Sequence, residues 1–295
     1  MNTLPAPDVL AHPLIADGAM GTMLFVHGLP IGEAPEAWLL TAEGAAAVAE
    51  VHRGHVDAGA QLVLTCTFGA NSLRLETSDV PGRTLEICRA AVDAARAGAG
   101  PEAIIAASMG PTGGLLLPYG LLDAGAVRAS YAEQAAACAE AGAGVLWIET
   151  MMDVNEAAAA VDGAREGAPG LPVVATMTFT PLGRTMFGNR PEAVAATLAE
   201  HGVAGVGANC GEGFAPVEMV MSAMRQAAPG LHLVAKANAG MPTVDGDGVT
   251  HYPATPADAA AYARAVADLG ATIIGGCCGT TPAHVTAISG AVRAR

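Results

Sequence analysis

The sequence predicts a (β/α)8 barrel, an α/β fold built from eight parallel strands and the helices between them. Short apolar runs alternate with helical patterns eight times along the 295 residues, and the runs are apolar throughout. Such strands are buried on both faces, which is typical of parallel sheets, and eight units of this length suit a closed barrel. A doubly wound open sheet is the alternative, which the absence of a nucleotide fingerprint disfavours. No linker divides the chain, so we expect one domain over residues 1–295.

Each predicted strand is a short apolar run that stops at a polar or glycine-bearing segment. The predicted strands cover residues 14–16, 61–65, 103–107, 145–148, 173–177, 204–208, 232–235 and 271–274. Helical patterns lie at residues 41–58, 83–97, 125–141, 154–166, 191–201, 215–227 and 257–269. Thr41 suits the N-cap of the first of these helices. Loops rich in glycine and proline are predicted at residues 27–35 and 241–256.

Polar residues follow the predicted strands directly. In a barrel of this type the carboxyl ends of all strands surround one mouth, where active sites are built. Residues that are distant in sequence are therefore expected to meet there. These residues are Asp17, Thr65, Thr67, Ser108, Glu149, Asn209, Cys210, Asn238, Cys277 and Cys278.

Two adjacent cysteines, Cys277 and Cys278, follow the last predicted strand between glycines. Neighbouring side chains within a regular strand point to opposite faces, but beyond its end both thiols can reach one ion. A tight zinc site takes three or four protein ligands, and Cys210 after the sixth strand is the obvious third. The alternatives are packed cysteines and a strained vicinal disulfide. Three thiolates leave one zinc position open, which is typical of a catalytic site.

The open position suits a thiol substrate, because a metal ion stabilises the thiolate form. Three anionic sulfurs neutralise the ion, so the substrate sulfur would keep its electron density and attack a soft electrophile such as a methyl group. Asp17 and Glu149 could fix an ammonium group, and the backbone N–H groups of Gly18 and Ala19 could bind a carboxylate. A helix cap or a surface charge is the alternative role for either acid. Together these features describe an α-amino acid that carries a thiol.

The overall composition excludes several classes of protein. The net charge is −14 with only 14 Lys and Arg, and no basic run occurs, so nucleic acid is not an expected partner. Residues 1–8 lack the basic start and apolar core of a secretion signal, and no apolar segment reaches membrane-spanning length. We therefore expect a cytoplasmic protein that does not associate with membranes. In that compartment six cysteines favour free thiols over disulfides.

Seven motifs occur in a fixed order: DGAMGT (17–22), TCTFGAN (65–71), GPTGG (110–114), ET (149–150), GANCG (207–211), NAGMP (238–242) and GGCCGTTP (275–282). In these motifs the chain resembles the zinc-dependent homocysteine S-methyltransferase family, above all the homocysteine-binding domain of cobalamin-dependent methionine synthase. The resemblance implies that Cys210, Cys277 and Cys278 bind Zn²⁺. It also implies that Asp17 and Glu149 hold the amino group of homocysteine. Its carboxylate would be held by Gly18, Ala19 and Thr67, with Thr65 as the alternative to Thr67.

The methyl donor is left open by the sequence, which contains no Asp-x-His-x-x-Gly cobalamin motif. The leading hypothesis is a homocysteine S-methyltransferase that forms methionine from a methyl donor. The alternative is a homocysteine-activating subunit that receives the methyl group from a separate methylated corrinoid protein. A third possibility is a structural or redox cysteine site in a binding protein.

Three other residues are interpreted as ordinary packing or surface residues. Cys66 lies next to the predicted mouth and could be an accessory thiol, although a packed side chain is favoured. His52 and His55 lie about one helical turn apart, and we expect them to be away from the mouth.

Overall fold

Eight parallel strands form one sheet that curves into a barrel. The strands of the chain are β1 (Leu14–Ile15), β2 (Leu62–Leu64), β3 (Ile104–Met109), β4 (Val145–Met151), β5 (Val173–Met177), β6 (Gly205–Cys210), β7 (His232–Ala237), β8 (Thr243–Val244), β9 (Thr250–His251) and β10 (Ile273–Gly276). Hydrogen-bonded neighbours in the sheet follow the order β1-β10-β7-β6-β5-β4-β3-β2. A parallel bridge between Ala16 and Leu62 joins β1 to β2 and closes the barrel. The predicted (β/α)8 barrel is confirmed.

The computed structural model describes residues 9–10, 13–30, 32–246 and 250–295. Residues 1–8, for which no secretion signal is expected, lie outside the described residues. So do residue 31 of the first predicted loop and residues 247–249 of the second. In the rest of the second loop, β8 and β9 pair as an antiparallel hairpin that the sequence did not predict.

The helices surround the barrel, and each predicted helix is present within a few residues of its expected ends. They are α1 (Gly21–Val26), α2 (Pro35–Trp38), α3 (Ala42–Asp57), α4 (Ser72–Leu75), α5 (Thr84–Ala99), α6 (Ala124–Ala141), α7 (Val154–Gly167), α8 (Pro191–Glu200), α9 (Phe214–Ala227), α10 (Pro256–Asp268) and α11 (Pro282–Arg293). Thr41 caps α3 as predicted, because its side chain accepts the N–H of Gly44. None of the described helices combines the length and apolar character needed to cross a lipid bilayer.

Helix α11 was missed by the sequence analysis, although its start carries a recognisable signal. Thr281 is the N-cap and forms a capping box with His284, and Pro282 occupies the first turn. A threonine followed by proline is a common start of a helix. The short helices α1, α2 and α4 have at most six residues, which is too few to show a periodic apolar pattern.

The apolar strands bury side chains on both faces, as the continuous hydrophobic runs predict. Trp147 and its neighbours on other strands fill the inside of the barrel, while Leu146 and Ile148 pack outward against the helices. On β6 the first glycine of the GANCG motif is required by close packing. A Cβ atom on Gly207 would lie 2.0 Å from the carbonyl oxygen of Val234 on β7. This close approach sets the path of β6 just before Cys210.

Candidate metal and substrate site

Three cysteines meet at the mouth, the end of the barrel that holds the carboxyl ends of the strands. The Sγ atoms of Cys210, Cys277 and Cys278 all lie within 4.8 Å of one another. Cys210 ends β6, and the adjacent pair follows the end of β10. Cys210 has a φ of 62°, which costs a non-glycine residue about 1–3 kcal/mol. Backbone strain of this kind is concentrated at functional sites, where the surrounding structure holds it in place.

The three sulfurs fit a single tetrahedral metal ion. Zinc–sulfur bonds of about 2.3 Å place two sulfurs of a tetrahedral site about 3.8 Å apart, within the observed 4.8 Å limit. Hydrogen bonding to Cys210 raises the pKa of Cys277 well above its ordinary value, and burial raises it further. Without a cation, these close and buried thiols resist ionising together. The donor set is therefore one that a soft, positively charged metal ion would complete.

Asp17 lies directly beyond the first strand and forms a buried ion pair with Lys236 of β7. Lys236 Nζ donates to Asp17 Oδ1 at 2.6 Å and to the Asp17 carbonyl oxygen at 2.9 Å. The other carboxylate oxygen, Oδ2, accepts the N–H of Leu64 at 2.8 Å. Both side chains of the pair are only 2% exposed. The carboxylate of Asp17 thus already has a cationic partner within the protein.

Lys236 was missed by the sequence analysis, which ended the seventh predicted strand at residue 235. Two signals could have identified it. It is the only lysine in the sequence, since the other 13 of the 14 basic residues are arginines. It also directly follows the apolar run of β7, and a lysine is almost never buried unless it is paired.

Glu149 lies near the end of β4 in a network with Ser108 and Asn209. Ser108 Oγ donates to Glu149 Oε1 at 2.5 Å, and Asn209 Nδ2 donates to Oε2 at 3.1 Å. The register between β4 and β5 shifts between Ile148 and Met151, so a bulge at Glu149 and Thr150 orients these side chains. Burial raises the pKa of Glu149, and the hydrogen bond from Ser108 opposes this shift.

The two threonines of the TCTF segment use their hydroxyl groups within the protein. Thr67 Oγ1 donates to the Ser108 carbonyl oxygen at 2.7 Å. Thr65 Oγ1 lies 2.7 Å from Thr67 Oγ1 and accepts the Ser108 N–H at 3.1 Å. Because the Thr67 hydrogen is used on Ser108, Thr65 must be the donor between the two hydroxyls, which leaves neither a hydrogen for a ligand. A contact between Thr67 and a substrate carboxylate therefore stays a prediction, and it would require the Thr67 hydroxyl to turn away from Ser108.

A cavity of about 490 Å³ connects the cysteine-lined and polar parts of the mouth. Its lining includes the three cysteines together with Asp17, Glu149 and Lys236, whereas Thr67 is not among the lining residues. The volume is in the range of small-molecule sites. A larger groove of about 710 Å³ lies at the amino-terminal end of the strands, and it contains none of the predicted site residues.

The glycine-bearing turn after the first strand also lines this cavity. Ala19 N–H donates to the Thr280 carbonyl oxygen at 3.3 Å, whereas the Gly18 N–H has no partner among the described residues. A Cβ atom on Gly18 would lie 2.7 Å from His55 Cε1 and 2.8 Å from Thr280 Oγ1. Only glycine fits here without displacing its neighbours, and its amide is a free backbone donor of the turn.

Comparison with known proteins identifies the family. The family model for homocysteine S-methyltransferase matches residues 14–292, which is nearly the whole chain. The chain belongs to the homocysteine S-methyltransferase family. It is therefore a member of a family of methyltransferases, as the sequence motifs predicted.

Relatives of this homocysteine S-methyltransferase family member include two mycobacterial proteins. Methionine synthase from Mycobacterium tuberculosis is 30% identical over 97% of this chain and 25% of that protein. Methionine synthase from Mycobacterium leprae is 30% identical over 95% of this chain and 24% of that protein. The chain thus spans about a quarter of the length of these curated relatives.

A solved structure shares the barrel fold of this family member. The metallated form of the homocysteine methyltransferase MmuM from Escherichia coli matches with a TM-score of 0.80 and 23% sequence identity. The match covers 97% of this chain and 99% of that chain.

The structure of this family member places one of the two histidines, His55, differently from our expectation. His55 lies beside the mouth, since its Nε2 is 3.0 Å from the Ala19 carbonyl oxygen. The prediction that it lies away from the mouth is wrong, because α3 packs directly against the turn after β1. His52 is fully buried, and burial lowers its pKa to about 4. Within the described residues, neither histidine belongs to a group that could hold a metal ion.

Cys66 lines the same cavity but is apart from the cysteine trio. Its side chain is 4% exposed and packs in the hydrophobic core. Burial, together with the nearby charge of Glu36, raises the pKa of its thiol well above the usual value. A protonated, buried thiol is a packing side chain and a poor nucleophile.

Proposed function

We propose that this chain transfers a methyl group to the thiol of homocysteine and forms methionine. The observation that carries the proposal is the meeting of three cysteine sulfurs with Glu149 and the Asp17–Lys236 pair in one cavity. Sulfur ligands select a soft metal ion that suits a thiol substrate, while charged groups beside them suit an amino acid. Membership of the homocysteine S-methyltransferase family supports the same substrate.

Cys210, Cys277 and Cys278 would hold a zinc ion in this reaction. When bound, zinc supplies the positive charge that lowers the pKa of a substrate thiol, so that a thiolate is available at neutral pH. Glu149 would accept the ammonium group of the substrate. The Asp17 carboxylate shares its charge with Lys236 and so has less to offer a second cation. The free N–H of Gly18 would donate to the substrate carboxylate, with Ala19 N–H in a lesser role.

The transfer itself requires the substrate sulfur and the donor methyl group to be aligned. A new bond forms between the sulfur and the methyl carbon as the bond from that carbon to the donor breaks, and its electron pair leaves with the donor. The side chains of this protein hold the amino-acid end of homocysteine at a fixed distance from the cysteines. Such positioning lowers the barrier by removing the entropy cost of bringing the reactants together.

A second candidate function is activation of homocysteine for a methylated corrinoid protein. Loops that follow the strands at the mouth expose large apolar side chains, which is typical of protein-binding surfaces. Those after β3 and β5 are Leu115, Leu117, Tyr119, Leu121, Leu182, Met186 and Phe187, between 44% and 94% exposed. A protein donor would cover this rim, whereas a small donor would leave it in water.

A donor assay tests both candidates. Zinc-loaded protein is given homocysteine with betaine or S-methylmethionine, and separately with a methylated corrinoid protein, and methionine is measured by mass spectrometry. Methionine from a small donor alone supports the first candidate and rules out a strict subunit role. Methionine only with the corrinoid protein supports the second. Protein that holds zinc but forms no methionine with any donor would contradict the methyltransferase proposal.

A further inference from the structure

Lys236 presents an ammonium group to the cavity with one donor unused. The group has three N–H bonds, of which two are directed to the carboxylate and the carbonyl oxygen of Asp17. The third has no acceptor within hydrogen-bonding distance in the described part of the chain. Lys236 lines the cavity that also contains the cysteine trio. A buried ammonium with a spare donor is suited to bind an anion.

Asp17 fixes this ammonium group in one position. Its Oδ2 accepts the N–H of Leu64, so the carboxylate cannot rotate freely away from Lys236. Its negative charge offsets the cost of burying the lysine, which is 2% exposed. The pair therefore presents a rigid donor, and little side-chain entropy remains to be lost when a ligand binds.

The turn after β1 and the TCTF segment offer a carboxylate free backbone amides but no hydroxyl hydrogen. The hydroxyl hydrogens of Thr65 and Thr67 are used within the protein, and Ala19 N–H is directed to Thr280. The N–H groups of Gly18, Met20 and Gly21, which line the cavity, have no partner among the described residues and are the free backbone donors of the turn. These amides are neutral, whereas a carboxylate gains most from a hydrogen bond to a charged donor. Lys236 is a charged donor that lines the same cavity.

The chain composition also points to a specific requirement at this position. The 13 other basic residues are all arginine, so the sequence uses lysine here alone. A guanidinium is larger, planar and has a fixed fork of donors, whereas an ammonium is compact and can place its donors on Asp17 and on a ligand at once.

We propose that Lys236 binds the carboxylate of the thiol substrate and selects for substrates that carry one. Asp17 then positions Lys236, and Glu149 takes the ammonium group. This inference rests on the proposed function for the identity of the substrate.

Affinities for three thiols test the assignment. Homocysteine is compared with 3-aminopropane-1-thiol, which lacks the carboxylate, and with 4-mercaptobutyrate, which lacks the amino group. Dissociation constants are measured by calorimetry on zinc-loaded wild type and Lys236→Met. We expect the substitution to raise the dissociation constants of homocysteine and 4-mercaptobutyrate about 10- to 100-fold, because each ligand loses a hydrogen bond to a charged group. Binding of 3-aminopropane-1-thiol should change by less than about threefold. In turnover, KM for homocysteine should rise far more than kcat falls.

A second variant allows for the possibility that Lys236→Met leaves Asp17 unpaired and unfolds the protein. The double substitution Lys236→Met with Asp17→Asn removes both charges and keeps an acceptor for Leu64. This double variant should show the same loss of preference for homocysteine over 3-aminopropane-1-thiol. If either folded variant still prefers homocysteine over 3-aminopropane-1-thiol as strongly as wild type does, the assignment is wrong. An equal rise in the dissociation constants of all three thiols would also contradict the assignment, because it would show that the role of Lys236 is structural.

The single lysine gives a readout that needs no substitution. Protein labelled with ¹³C at lysine Cε has one such signal, which belongs to Lys236. Saturation with 4-mercaptobutyrate should shift it, and a signal that stays fixed while calorimetry records binding would overturn the proposal. Both measurements report binding and not turnover. A protein that binds carboxylated thiols through Lys236 but transfers no methyl group would therefore refute the proposed function alone.

Discussion

Asn209 donates its side-chain amide to Glu149 at 3.1 Å and so joins two strands that are not neighbours in the barrel. Asn209 precedes Cys210 on β6, and Glu149 lies on β4, with β5 between them. The same amide donates to Thr150 Oγ1 at 2.7 Å, and its oxygen accepts the Thr150 N–H at 2.8 Å. All its polar groups are therefore used. One side chain thus holds together the part of the mouth around Glu149 and the strand that ends in Cys210.

Replacing Asn209 with alanine should destabilise the protein by about 2 kcal/mol, because the Thr150 N–H and a Glu149 oxygen lose their partners in a buried place. Urea denaturation of the metal-free protein measures this change. Asn155 is exposed on α7, and Asn155→Ala serves as the control, with an expected effect below about 0.5 kcal/mol. Equal effects of the two substitutions would mean that the network does not stabilise the mouth.

Cys277→Ala should abolish binding of zinc and methyl transfer together, because two sulfurs are too few for a tight site. Zinc per chain, measured by elemental analysis, should fall from about one to near zero. Cys66→Ala is the matched control, since Cys66 lines the same cavity but lies outside the trio, and it should retain zinc. A Cys277→Ala protein that keeps stoichiometric zinc and turns over would refute the metal assignment.

Glu149→Gln should stabilise the metal-free protein at neutral pH while weakening homocysteine binding at least about tenfold. Burial raises the pKa of Glu149, so the folded protein holds this proton at pH values where the unfolded chain has lost it. Folding therefore becomes less favourable as pH rises through and above the unfolded pKa of about 4.3. Glutamine removes this loss, and the Ser108 hydroxyl can turn to accept its amide hydrogen.

The control for this prediction is Glu156→Gln. Burial also raises the pKa of Glu156, which is hydrogen-bonded to Thr112. Neither residue lines the cavity. Urea midpoints from pH 4 to 8 should show the same sign of stability change for both variants, while calorimetry should show weakened homocysteine binding for Glu149→Gln alone. A stability gain of Glu149→Gln that shrinks as pH rises would contradict the argument.

His52→Leu should make the stability of the protein less sensitive to acid. Burial lowers the pKa of His52 to about 4. The unfolded chain therefore binds a proton at this residue near pH 6.5, whereas the folded protein binds it only near pH 4. Stability is thus lost as pH falls from about 6.5 to 4, by up to about 3 kcal/mol from this residue.

Both ring nitrogens of His52 also lack a partner within the described structure, so leucine removes two unpaired polar atoms. Thermal melting at pH 4.5 and 7.5 measures the effect. The exposed His251→Leu controls for loss of a histidine as such. An unchanged difference between the two pH values in His52→Leu would show that His52 does not account for the acid sensitivity.

The barrel and the cysteine trio could be predicted from the sequence because both follow from strand order alone. Parallel strands place all their carboxyl ends at one mouth, so Cys210 and the Cys277–Cys278 pair had to be considered together. No detail of side-chain orientation was needed for that inference. The fourth strand, predicted to cover residues 145–148, extends instead to Met151, but Glu149 still lies at the mouth.

The finer parts of the site depend on atoms that a sequence pattern does not place. The pairing of Lys236 with Asp17 depends on the register across β7, β10 and β1. The roles of Thr65 and Thr67 depend on which hydroxyl donates to which acceptor. His55 is beside the mouth because α3 packs against the turn after β1, a tertiary contact that helical periodicity does not reveal.

The seam between β1 and β2 is sealed partly by a side chain. Beyond the Ala16–Leu62 bridge, the Leu64 amide is bonded to the Asp17 carboxylate, where a backbone carbonyl would serve in an ordinary ladder. A ligand that binds to the Asp17–Lys236 pair will alter the strength of the hydrogen bond from the Leu64 amide to Asp17. The rate of hydrogen exchange at the Leu64 amide should therefore change when a ligand occupies the cavity. This backbone amide of the barrel would then report on ligand binding at the mouth.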